Sequence, residues 1–346
     1  MLTARENMLE VLRGGKPDRF VNQFEALSFA MTPSFMHGAM PTKGGPAVVD
    51  GWGVTKVYPE NTPGPFPVHT QDKIVIQDIE RWQDYVHAPS QTFPEEEWAM
   101  VSDMLKDVDR SKAIIAPMIA PGLFEMCHYL CSMDQALMYF ITNPDEMHDL
   151  IRYLTDYELE NAENICRYLK PEAIFHHDDW GSETNSFLSP DMFNEFFLEG
   201  YKQIYGYYHD HGVEFVIHHS DSYAANLVPS MIEMGINAWQ GCMSTNNVPE
   251  LIAKYGDKIT FMGAIDNKFV DFDGWTDADC RKAAQNAIDA CGMKAFVPCI
   301  TEGGPGSVYP GTYMSITEAI RAINYERFGF TPEEQIAAAM PVVVMF

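Results

Sequence analysis

From Lys112 onward the chain alternates short apolar runs with longer amphipathic stretches. The short runs predict strands at Ala113–Met118, Ala173–Asp178, Glu214–His219, Asn237–Gln240, Ile259–Ile265 and Ala295–Ile300. They are apolar on both faces, as strands of a parallel sheet covered by helices must be. The stretches between them, 143–169, 190–210, 223–234, 247–255, 276–291 and 312–326, have helical spacing. Gly212, Gly235, Gly256 and Gly292 stand where helices end in a left-handed residue. Nearer the start, Thr3 caps a helix through Leu12, and Gly14-Gly15 stops it. Two further strands are expected at Phe20–Glu25 and Trp52–Tyr58, which brings the count to eight.

Eight strands alternating with helices predict an α/β fold, a (β/α)8 TIM-type barrel formed by residues 1–346 as a single domain. No glycine-rich phosphate loop follows any strand, which weighs against a doubly wound sheet. Residues 27–112 are rich in Pro, Gly, Met and aromatics and read as an irregular insertion that covers a site. The apolar tail Met340–Phe346 is expected to pack on the core or on a subunit interface.

Charge narrows the partners. The 346 residues carry 23 basic and 49 acidic side chains, a formal net charge of −26. So acidic a surface argues against nucleic acid and anionic membranes as partners. No apolar run is long enough to span a bilayer, and the N-terminus has no signal-peptide core. The seven cysteines are odd in number and have no disulfide or ribbon spacing, which points to a reduced, cytoplasmic setting.

The chemistry collects at the predicted strand ends, which form the active face of such a barrel. Phe175-His176-His177-Asp178-Asp179-Trp180-Gly181-Ser182-Glu183 closes one strand, and Phe215-Val216-Ile217-His218-His219-Ser220-Asp221-Ser222 closes the next. Burying such groups costs several kcal/mol, roughly, unless they are paired or hold a metal. The period of two puts one residue of each pair, His218/His219 and Asp178/Asp179, toward the interior and the other away from it. Glu183, His219, Asp221 and Cys299 offer the carboxylate, imidazole and thiolate that zinc takes. Glu25, Gln240, Asp266 and Glu302 stand at other strand ends as candidates for substrate contact. Cys166, Cys280 and Cys291 read as small core residues.

These segments resemble the uroporphyrinogen decarboxylase superfamily over essentially the whole chain. The resemblance is carried by Thr3-Ala4-Arg5-Glu6-Asn7 with Pro17-Asp18-Arg19, by Ser189-Pro190-Asp191-Met192-Phe193, and by His219-Ser220-Asp221-Ser222. Gly263-Ala264-Ile265-Asp266 and Gly303-Gly304-Pro305-Gly306-Ser307 complete it. It implies the (β/α)8 fold, a homodimer and one of two activities. The decarboxylases bind an acidic tetrapyrrole through an arginine-rich segment after the first strand. Here that segment, Phe20 to Leu27, has no arginine or lysine. The other branch comprises corrinoid-dependent methyltransferases, zinc enzymes with a strand-end His-x-Cys and a later Cys. In this chain Asp221 replaces the first cysteine, and Cys299 stands where the second is expected. Members that demethylate aryl methyl ethers use a Glu…Glu…His pattern, whose outer members Glu183 and His219 would supply, with Glu199 or Glu195 between.

The resemblance therefore implies an O-demethylase component that moves a methyl group from a methoxylated aromatic, or a similar donor, to Co(I) of a corrinoid carried by a partner protein. Its cofactor would be Zn2+. His177, Asp178 and Asp179 are the candidates to protonate the leaving oxygen. A methylcorrinoid-to-thiol or folate methyltransferase and a metal-free decarboxylase-like enzyme are the alternative readings.

Overall fold

The computed structural model describes residues 1–62 and 64–341. Its strands are β1 (Leu27–Met31), β2 (Val48–Val49), β3 (Thr55–Val57), β4 (Phe66–Pro67), β5 (Ile114–Ile119), β6 (Ala173–His177), β7 (Phe215–His219), β8 (Ala238–Cys242), β9 (Thr260–Ile265) and β10 (Phe296–Ile300). Seven of them form one parallel sheet in the order β1-β5-β6-β7-β8-β9-β10. Helices connect the successive strands from β5 onward. The sheet curls around one interior: Leu27, Ile114, Phe175, Ile217, Ala238, Met262 and Val297 share an apolar cluster, although they come from all seven strands. The N-terminal helix Ala4–Leu12 adds Met8, Leu9 and Val11 to that cluster, beneath the strand starts. Residues one position away, such as Ile174, Val216, Trp239, Phe261 and Phe296, pack outward against the helices. The alternation is the strand pleat, and it decides which rim groups share the interior.

Two of the eight expected strands differ. Residues 23–26 form a short helix, Gln23–Ala26, and the strand follows it. Asn22 and Glu25 make a reciprocal capping box, and that local hydrogen bonding wins over the apolar run. Trp52–Tyr58 does contain β3, but β3 pairs antiparallel with β2 and β4 in a separate three-stranded sheet. The main sheet therefore has seven strands, and among the described residues no ladder joins β10 to β1. Helix Gln23–Ala26 lies beside β10 and leads into β1 at that seam.

The segment expected as an irregular insertion, 27–112, opens with β1 of the main sheet; the part beyond β1 runs along the outside of the long helix Pro144–Tyr168. Trp82 meets Tyr153, Trp52 meets Tyr157, and Trp98 stacks on Tyr168 at 4.9 Å. It also reaches the helix Leu123–Cys131, where Ile76 N donates to Leu130 O. All seven cysteines are unpaired. Among the described residues no helix is long and apolar enough to cross a membrane. Most of the apolar tail, Val342–Phe346, lies outside the described residues.

Candidate metal centre at the strand ends

The pleat settles which histidines face inward. His177 follows Ala173 and Phe175 on the inner face of β6, and His219 follows Phe215 and Ile217 on that of β7. The strands are in register, with His177 opposite His219. Their rings stack at 4.5 Å between centroids, inclined by 26°. Just past the strand ends, Asp179 accepts from Asp221 N at 2.9 Å. His177 Nε2 lies 3.9 Å from Asp179 Oδ2, and His219 Nε2 lies 3.8 Å from Asp221 Oδ2. One ligand atom each from His177, Asp179 and His219 falls within 4.8 Å of the others.

Both imidazoles are held from behind. His177 Nδ1 bonds Glu125 Oε2 at 2.8 Å, and His219 Nδ1 bonds Gln240 Oε1. Each ring therefore turns Nε2 toward the shared space between the carboxylates. Burial opposes charge on His177, but Glu125, Asp179 and Asp221 outweigh it and raise its pKa to about 10. Burial and the charge of Asp221 push Asp179 up to about 7, against the pull of His177. Asp221 is itself buried, yet its hydrogen bond to His219 and the nearby imidazoles lower its pKa. Two imidazoles and one or two carboxylates around one point suit a borderline cation such as zinc, so the donor set fits a bound metal.

The outward histidines belong to a different network. Burial keeps His218 neutral. Its Nε2–H donates to Asp178 O at 3.2 Å, and its Nδ1 accepts from the Tyr205 hydroxyl at 3.0 Å. That hydroxyl also lies 2.6 Å from His176 Nδ1. Tyr201 and Tyr205 sit one turn apart on the helix Glu199–Asp210, just after a π-helical turn over Asn194–Leu198. Asp178 is wholly buried and faces the N-terminus of the helix Leu123–Cys131. Its carboxylate accepts from Phe124 N at 3.0 Å, Glu125 N at 2.7 Å, Trp180 Nε1 at 2.8 Å and the Tyr201 hydroxyl. Burial and the Glu125 charge raise its pKa to about 7 against those four donors.

The remaining candidates are dispersed. Glu183 is exposed and ion-paired to Lys268. Cys299 is buried on the inner face of β10, its thiol pushed up to about 12 by burial, and it bonds Gln240. Asp266 is buried and accepts from Ser244 N at 2.8 Å and from the Ser244 hydroxyl. Glu25 accepts from Arg321 Nη2 at 2.6 Å in a buried pair. Glu302 is half-buried beyond β10, and burial together with Asp221 and Asp266 pushes it up to about 7. Glu199 is exposed, and Glu195 faces His148 at 3.8 Å. Sequence reasoning missed Glu125. Its one signal is an acid in the first turn of an otherwise apolar helix that begins just past a strand end.

One turn beyond Glu125, His128 packs against Phe124 and faces His69 of the insertion. Burial, against the charge of Glu125 and aided by His69, lowers its pKa to about 4. An unfolded histidine takes its proton near pH 6.5, so the unfolded state binds more protons below that value. The stability His128 permits is full above 6.5 and is lost as pH falls toward 4. His128→Phe should therefore gain on wild type by about 3 kcal/mol between neutral pH and pH 4. Urea unfolding of both proteins across that range measures it, and parallel profiles would refute it.

The molecule is thus an α/β protein whose curled, seven-stranded parallel sheet carries a cluster of metal-capable side chains at the C-terminal ends of its strands. The uroporphyrinogen decarboxylase (URO-D) family matches residues 48–323, and the chain belongs to that family. No curated protein matches it. Among solved structures, a methyltransferase from Methanosarcina mazei aligns with a TM-score of 0.66 at 14% identity, over 94% of this chain and 99% of its own. A Cellulomonas fimi endo-beta-1,4-mannanase double mutant aligns over 98% of this chain and 78% of its own at 14% identity, with a TM-score of 0.44.

Proposed function

We propose that this protein is a zinc-dependent methyltransferase that takes a methyl group from a methoxylated aromatic, or a similar donor, and passes it to the Co(I) corrinoid of a partner protein. The observation that carries the reading is the convergence of His177 Nε2, His219 Nε2 and the Asp179 carboxylate at the barrel mouth. From Phe20 through β1 and on to Thr42 there is no arginine or lysine to meet a polycarboxylate. His177, His219 and Asp179 would hold the metal, with Asp221 beside them. When bound, it supplies Lewis acidity to an ether oxygen, which is otherwise a poor leaving group.

The chain's own groups have three tasks. Glu125 and Gln240 hold the two imidazoles. Asp221, its pKa lowered, keeps negative charge beside His219. Glu302, pushed up to about 7 by burial and by Asp221 and Asp266, still carries its proton in part of the molecules near neutral pH, as Asp179 does. As the methyl carbon leaves, the C–O electron pair stays on oxygen, and Glu302 gives that oxygen its proton. No protein nucleophile is required, because the partner's Co(I) corrinoid would supply the electron pair that accepts the methyl group.

The test mixes metal-loaded protein, reduced corrinoid and a panel of methoxylated aromatics. Formation of methylcorrinoid by absorbance, matched by the free phenol, is expected for wild type and not for His219→Ala. Demethylation of no member of the panel, or equal turnover in the variant, would refute the proposal.

A further inference from the structure

The two rim imidazoles are alike in position and unlike in support. Behind His177 stands Glu125, whose carboxylate oxygen lies 2.8 Å from Nδ1. Behind His219 stands Gln240, a neutral amide. Both supports are themselves fixed. The first turn that carries Glu125 is tied to the tip of β6 at three points. Gly122 N donates to His177 O at 2.8 Å, and the amides of Phe124 and Glu125 donate to Asp178. A Cβ on Gly122 would stand 2.6 Å from the Asp178 Cβ, so only glycine permits that approach. Gln240 is paired across from His219 in the ladder. Its Nε2 donates to Ile300 O at 3.4 Å, which leaves Oε1 to accept from His219. The β8 ladder slips directly after Gln240, at Gly241, whose φ of +88° and contact with Ser220 O exclude a side chain.

We infer that Glu125 and Gln240 are positioning residues that fix both histidines with Nε2 toward the metal, and that the Glu125 charge makes His177 the tighter-held ligand of the two. The inference rests on the metal reading above. A carboxylate on the far nitrogen raises imidazole basicity, and loss of such a partner typically weakens metal binding about 10–100-fold. A neutral amide orients without adding charge.

The experiment measures zinc affinity by competition with a chromophoric chelator, and the cobalt(II) absorption spectrum, for wild type, Glu125→Gln, Gln240→Leu and His177→Ala. Glu125→Gln keeps a hydrogen-bonding group of the same shape and removes only charge. It should weaken zinc by about tenfold or more and shift the cobalt(II) bands, with the circular dichroism of the metal-free protein at room temperature unchanged. Gln240→Leu should weaken zinc as well, by a smaller factor. Affinity of Glu125→Gln within twofold of wild type, beside a His177→Ala that no longer binds, would overturn this inference and leave the metal reading standing. A wild-type protein that takes up no metal overturns both.

Discussion

His219→Ala should strip the protein of its metal without unfolding it. Protein isolated without chelator is expected to carry about one zinc per chain, in keeping with one cluster of ligands. Zinc held by three or four protein ligands binds with about 10–16 kcal/mol, or roughly 3–4 kcal/mol per ligand. Loss of one imidazole then lowers affinity by about two to three orders of magnitude. His177→Ala and Asp179→Ala should do the same. The fold should persist, because these side chains sit at the strand ends and the apolar cluster of the curled sheet lies beneath them. Metal analysis by mass spectrometry and circular dichroism read the two outcomes separately. Full metal content in all three variants would sink the proposed centre. Loss in Glu183→Ala instead, with the three others unaffected, would move the centre toward the exposed acid now paired with Lys268.

From Lys112 onward the apolar runs marked six strands within a residue or two of their observed bounds. That part of the chain was legible because each strand is buried on both faces, and burial writes itself into composition. Phe20–Glu25 was not, because a capping box reads from Asn22 and Glu25 rather than from apolar content. Trp52–Tyr58 was legible as a strand but not as to which sheet it joins, since pairing partners lie outside any local window.

The rim clusters were legible as chemistry for a similar reason: adjacent histidines and carboxylates at strand ends are costly unless used. Which of His176 and His177 faces the interior was not, because the pleat fixes alternation and only the packing of Phe175 and Ile174 fixes its phase. Glu125 comes from a helix about fifty residues before β6, and nothing near it in sequence hints that it will meet His177.

Asp178→Ala should be the most damaging single change near the site. The carboxylate takes hydrogen bonds from two helix N-terminal amides, one indole and one phenol, all buried. Each donor left without a partner costs about 1–3 kcal/mol, so the substitution should cost at least about 4 kcal/mol. It also frees the first turn of the helix Leu123–Cys131, and with it Glu125, from the tip of β6. Stability and zinc affinity should therefore fall together, as thermal unfolding of the metal-free protein and chelator competition would measure. Asp178→Asn retains one acceptor of the two and should fall between. Had Asp178 been the proton donor, its asparagine variant would lose turnover at unchanged stability and unchanged metal affinity. The four donors that surround it favour the first outcome: a buried carboxylate engaged by two amides, an indole and a phenol holds structure in place.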